Sequence, residues 1–482
     1  MTKRSLERGQ VVPFARSTAY WHQRGLAQKR NQQPLDALEL LRRAAQQDPH
    51  HEELLLDLAE TYAEMHCYEQ SNRILFQILA QHQCNPECYF GLGCNFFSLR
   101  IYPLARDCLM SYLRHAPDGE YTEDAEEMLA LLEAQVLPKD GKTRLLRRTA
   151  RAVAALEEGN PSMAVRLLRR VLALNPHDSA TYALVAFALM AKGSAKEALK
   201  AARTAWRLDP TNLRACCAMA VALWQNEKPE AARRYVVYAT QKVEEESDES
   251  LICQTACEIG AHDLAYAQLH GMEREQPYNP LLLHMLAVSC FYTGRMREAL
   301  RHWACLRRID PQDTVAAYYY DLLRTCLDAQ RDPTAEMQPL YAIQLPPMAC
   351  LERLKTLRNA VQDGTENLLR QWKEDPLLSQ LVRWGLEQTE ESIQRAMMGL
   401  LATVRDELAQ TLLKEVLVEP SQGETLKRTA MLALYTQRVP GPYIAVLKQH
   451  LTWVHVDAVP EGRMLSSTHE RLIQAVAKSL LP

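Results

Sequence analysis

The chain repeats itself every 34 residues, and that period limits what it can fold into. Segments beginning at Thr18, Glu52, Pro86, Leu145, Ser179, Leu213, Glu246 and Pro280 follow at offsets of 34, 34, 59, 34, 34, 33 and 34. The long step is one period plus a 25-residue insertion. A unit of this length holds two helices and a turn. One such pair cannot cover its own apolar face, so neighbouring pairs must stack.

In this frame the eighth position is always small: Gly25, Ala59, Gly93, Ala152, Ala186, Ala220, Cys253 and Ala287. The twentieth is alanine in every segment but one, where it is Ser71. Small residues here let two antiparallel helices approach closely. The twenty-fourth is bulky, from Leu41 to Trp303, with Ala202 the exception, and fills the space between neighbouring pairs. Proline at position 32 in six of eight segments, as in Asp48-Pro49 and Asp310-Pro311, ends the second helix because it lacks an N–H.

This pattern resembles the tetratricopeptide repeat and covers about residues 18–312, with a ninth first helix at Thr314–Ala329. The resemblance implies an all-α chain: a right-handed superhelix of helix-turn-helix units. It also implies that positions 2, 5, 9, 12 and 13 of each first helix line a concave groove. Those slots collect Phe90, Phe97, Val153, Leu156, Phe187, Met190, Val221, Trp224, Val288, Phe291, Tyr292 and Tyr318. An apolar, aromatic wall suits an amphipathic helix or an extended hydrophobic segment of a partner. Relatives that clamp acidic tails use Lys, Asn and Arg there. Here the first three units carry His22, Leu26, Leu56, Glu87 and Phe90 instead. Two alternatives stay open: tight closure without a groove, or a groove filled by the chain's own residues 335–348.

The expected organisation is a basic arm at 1–17, three repeats at 18–119 and an insertion at 120–144. Repeats 4–8 with the ninth first helix take 145–329, a proline-rich extended linker 330–348, and a second all-helical domain 349–482. Within the insertion, Thr122–Val136 reads as an amphipathic helix capped by Thr122 and seated against repeat 3. Residues 118–133 carry seven acidic and no basic side chains, whereas 139–170 carry nine Lys or Arg against three Asp or Glu. Arg144, Arg147, Arg148 and Arg151 could hold an anion or acidic partner; pairing with the acidic insertion or a solvated face is the weightier reading. The acidic run Glu244–Glu249 reads as a solvated loop. Past the linker, helical periodicity returns at 349–362, 364–373, 376–417 with a break near Thr389, 423–437, 441–450 and 464–480. Residues 425–451 resemble a HEAT-type helix pair in pattern.

Charge and motifs narrow the function. Net charge is −3, so no global basic field calls for nucleic acid. Thirteen cysteines, an odd count in a long chain without an export signal, read as a reduced cytoplasmic pool packed as small apolar groups. No phosphate-binding loop, nucleophile elbow or zinc-ligand spacing is found, so neither catalytic residues, cofactor nor metal is expected, and no stretch is long enough to span a bilayer. The expected role is a cytoplasmic scaffold for a protein or peptide. An enzyme with chemistry in 349–482, or a nucleic-acid regulator using the arginines at 144–170, are the alternatives.

Overall fold

The computed structural model describes residues 16–135, 142–157, 159–242, 246–388 and 391–456. Three hairpins open the chain: α1–α2 (Thr18–Arg30, Pro34–Gln47), α3–α4 (Glu52–Glu64, Tyr68–Gln81) and α5–α6 (Pro86–Ser98, Tyr102–His115). A single helix α7 (Thr122–Gln135) follows. Five more hairpins are α8–α9 (Lys142–Glu157, Pro161–Leu172), α10–α11 (Ser179–Ala191, Ala195–Leu208), α12–α13 (Leu213–Gln225, Pro229–Thr240), α14–α15 (Glu246–Glu258, His262–Met272) and α16–α17 (Pro280–Tyr292, Met296–Ile309). Helix α18 (Thr314–Asp328) and the one-turn α19 (Pro333–Glu336) end the array. Seven of the eight period starts are the first residue of a helix; α8 begins three residues before Leu145.

The frame works as its chemistry requires. Polar side chains at the residue before α1, α3, α5, α10, α12 and α16 accept from free N–H groups of the first turn, as Asn85 does from Cys88 and Asn212 from Ala215. A methyl at Gly25 would sit 2.8 Å from Leu41 Cγ, and one at Gly93 equally close to Leu109, so position 24 also packs inside its own hairpin. The turn between paired helices always passes through a positive φ at position 15, taken by Gly159, Gly193, Gly260 and Gly294, but also by Gln32, His66, Arg100 and Glu227.

Helix α7 seats on repeat 3: Tyr121 stacks on Phe90 with centroids 4.5 Å apart, and Met128 meets Cys94. Thr122 does not cap it. Its Oγ1 donates to Gly119 O at 2.9 Å, tying the helix start to the preceding turn. The acidic run expected as a loop is helical from Glu246 onward; residues 243–245 lie outside the described residues, as do 1–15 of the arm and 136–141.

The C-terminal part comprises α20 (Pro347–Asp363), α21 (Thr365–Glu374), α22 (Leu378–Glu387), α23 (Glu391–Val404), α24 (Glu407–Val418) and α25 (Glu424–Thr436), then strands β1 (Tyr443–Leu447) and β2 (His450–Val454). Two expectations are corrected. The stretch 376–417 is three helices, since Arg405 takes a φ of 57° and Asp406 caps α24 through Ala409 N–H. Residues 441–450 are not helical. They enter an antiparallel hairpin, Tyr443 opposite Val454 and Leu447 opposite His450, turned at Lys448 and Gln449 with φ of 51° and 63°. Strand β1 is buried on both faces: Tyr443 and Ala445 join one core, Ile444 and Val446 another. It therefore reads as an unbroken apolar run that periodicity cannot tell from a helix. Buried Lys427 of α25 donates to Val446 O at 2.7 Å and holds the strand in place. The expected helix 464–480 lies outside the described residues.

The array curls back on itself. Arg42 of α2 and Tyr62 of α3 both donate to Ile309 O at the end of α17, at 2.8 and 3.2 Å. Arg308 returns ion pairs to Asp36 and Glu39. One core runs without a break from Leu38 and Leu54 through Trp303 and Tyr319 to Leu413 and Leu434, joining the first repeats, the last repeats and α20–α25.

Candidate functional site

The first-helix positions expected to form a wall fall into three stretches that differ in what packs against them. In repeat 3, Phe90 lies between Tyr112 and Tyr121, and Phe97 has its ring edge on Tyr102. Both are half-buried under α7 and the neighbouring hairpins.

In repeats 7–9 the wall is occupied by the chain itself. Residues 337–345, sequence MQPLYAIQL, run as a non-helical strap over α15, α16 and α18. Side chains of the wall hold its main chain: His284 Nε2 donates to Leu340 O, Tyr292 OH to Pro339 O and Tyr319 OH to Gln344 O, each at 2.9 Å. The Tyr341 hydroxyl meets His262 Nδ1 at 2.9 Å, and the His262 ring stacks on Tyr292, centroids 4.1 Å apart. Met337 and Leu345 anchor the two ends in the core. Beneath the strap, Val288 and Phe291 are fully buried, Phe291 at 1% exposure. Tyr318 is half-buried against Tyr319, with Arg353 over its ring.

Electrostatics match this enclosure. Burial holds His284 below its ordinary range, so the ring is neutral, donating from Nε2 and accepting from Trp303 Nε1 at Nδ1. His262 is lowered by burial too, and the Tyr341 and Tyr319 hydroxyls are raised by it. The Cys257 thiol is pushed up, first by its hydrogen bond with Cys253 and then by burial. All these groups are neutral near pH 7, which suits the contact of side chains with main-chain carbonyls.

Between these two stretches, in repeats 4–6, Trp224 is the one exposed side chain among the predicted wall residues that the structure describes. Val153, Leu156 and Phe187 are half-buried, Met190 and Val221 are buried beneath them, and Trp224 is 41% exposed. Arginines border this stretch on α8: Arg147 and Arg151 are exposed and Arg148 half-buried, while the Arg144 side chain lies outside what is described. Among the described residues no ion pair joins Arg147, Arg148 or Arg151 to the acidic insertion, and Arg169 instead faces Glu197 at 3.6 Å. The sequence placed His284, Tyr292 and Tyr318 on the wall. It missed His262 and Tyr319, whose signal is the aromatic run Tyr318-Tyr319-Tyr320 opposite Tyr341.

Stacked hairpins around a wall that grips an extended segment define an α-solenoid interaction protein. The chain carries tetratricopeptide repeats: the family described as Tetratricopeptide repeat matches residues 30–89, and helical hairpins on the same period continue to α17. The TPR repeat-containing protein YvcD of Bacillus subtilis (strain 168) is 26% identical over 328 residues, which is 63% of this chain and 63% of that protein, under two thirds of its length. Among solved structures, the P58(IPK) TPR domain overlaps 88% of this chain and 99% of its own at 12% identity, TM-score 0.28. The TPR2AB-domain:pHSP90-complex of yeast Sti1 overlaps 50% and 98% at 18% identity, TM-score 0.22. Both superpositions are shallow and set nothing for this chain. No helix among the described residues is long and apolar enough to cross a membrane.

Proposed function

We propose that the first-helix wall of repeats 4–6 holds an extended, apolar segment of a partner protein, with Trp224 and Phe187 as anchors over Val153 and Leu156. One observation carries this reading: the adjoining stretch of the same wall already holds such a segment, gripped at its carbonyls by His284, Tyr292 and Tyr319. Main-chain capture combined with apolar pockets is how grooves take extended peptides, and buried aromatic anchors supply most of the affinity. A photo-reactive residue at 224 should give adducts with the partner that one at the outward Leu174 does not. Replacing Trp224 and Phe187 together by Ala should weaken capture of that partner more than tenfold, each truncation costing about 1–2 kcal/mol. Undiminished capture by the folded double variant rejects the reading.

A second reading rests on Arg147, Arg148 and Arg151 of α8, which have no ion pair among the described residues and suit an acidic segment entering the same stretch. It requires capture that weakens with added salt and is lost in Arg147→Glu with Arg151→Glu.

A further inference from the structure

Helices α23 and α25 enclose a cleft of about 520 Å³ with no element of the described chain in it. Both helices turn one continuous stripe toward it. On α23 the stripe is Gln394, Met398 and Ala402; on α25 it is Thr425, Thr429, Leu432 and Thr436. These spacings of three and four residues trace one helix face, so the cleft runs along most of both helices. Gly399 and Ala433 deepen its floor, and Leu432 stands 44% exposed on its wall. A channel between two helices, floored by small residues, is shaped for a third helix laid along it.

We propose that the chain's own residues 464–480 form that third helix. Three observations select this occupant. First, the segment carries Leu472, Ile473, Val476 and Leu480, an apolar stripe at i, i+1, i+4 and i+8, with Glu470, Arg471, Gln474 and Lys478 on its other faces. Second, its length fits: 17 residues of helix span about 25 Å, against about 17 Å between Thr425 and Thr436. Third, the described chain ends two residues after β2, in a hairpin that follows α25 directly. Val454 pairs with Tyr443, Tyr443 OH donates to Val439 O just beyond α25, and Thr436 at the end of α25 lines the cleft. Residues 457–463 reach up to about 23 Å, enough to turn back into it. The helix would complete the last layer of the C-terminal stack and bury Leu432.

Hydrogen exchange read by mass spectrometry on the full chain tests this. Amides of 466–480 should exchange at least tenfold more slowly than in the free peptide 462–482. Leu432→Arg and, from the other side, Val476→Asp should each abolish that protection while α20–α22 keep theirs. Exchange of 466–480 at the free-peptide rate overturns the proposal, as does protection that survives both variants. Protection that rises with concentration alongside a doubled mass in sedimentation also overturns it, since the cleft would then hold a second copy's helix.

Discussion

At the scale of single residues, apolar character alone does not tell wall from core. Phe291 and Trp224 occupy the same frame position, yet the first is 1% exposed and the second 41%. Phe291→Ala should therefore lower stability by about 3–5 kcal/mol, the range for a core aromatic, whereas Trp224→Ala should stay within about 0.5 kcal/mol. Urea unfolding followed by circular dichroism checks both, and equal losses would mean that the wall at repeat 6 is closed. His284 supports a second prediction. Its folded ionisation lies below the ordinary 6.5 because burial disfavours the charged ring. Below pH 6.5 the unfolded chain takes up a proton that the folded one resists, so stability is full above that pH and falls as pH drops through it, by at most about 1.4 kcal/mol per pH unit for one proton. A charged ring would also set an Nδ1–H against the N–H of Trp303. The groups around it are the neutral Tyr319 hydroxyl and strap carbonyls, with no carboxylate among the neighbours that set its ionisation, and His262 pulls in the same direction. His284→Gln should flatten the midpoint-versus-pH curve between pH 6.5 and 5, and an unchanged slope would disprove the assignment.

At the scale of elements, the hairpins were legible because each is specified locally. Gly25 facing Leu41, an Asn or Asp cap, and a proline stop all lie within one period. The turn residue at position 15 belongs to the same code. Gly193 and Gly294 have open space where a Cβ would go, so only backbone conformation selects glycine there. Arg100 and Glu227 adopt φ of 61° and 58° without that freedom. Arg100→Gly and Glu227→Gly should each raise the thermal midpoint, reflecting about 0.5–1 kcal/mol, and Gly294→Ala should lower it similarly. If the midpoints move in the opposite sense, the turn geometry is wrong. The β-hairpin was not legible for the converse reason. Tyr443-Ile-Ala-Val-Leu pairs with β2, but its two buried faces come from two separate cores built by elements outside the hairpin, with Lys427 of α25 holding Val446 O. Asp107 of α6 fixes its far strand by accepting from Leu451 N–H at 2.8 Å.

At the scale of the molecule, an open solenoid would behave as a chain of nearest neighbours, each hairpin sensing only the next. This one does not, because α2 and α3 close on α17 across more than two hundred residues. Nothing in the period announces that closure. It is carried by side chains that local patterns treat as solvated: Arg42, Arg308, Asp36 and Glu39. The seam also explains why the strap can be held so firmly, since α16 and α18 are braced on one side by the first repeats and on the other by α20–α25. Arg42→Glu tests this directly. It would place a carboxylate against the carbonyls of Arg308 and Ile309 at the C-terminal end of α17, where the helix dipole is negative, and beside Glu39 and Asp36. The expected outcome is a larger radius of gyration in solution scattering and faster amide exchange in α2 and α17 together, while α10–α12, whose core contains no residue of the first repeats, keep their protection. Loss confined to α2 would mean that the first repeats are an independent arm, and the bracing of the strap would then have to come from α20–α25 alone.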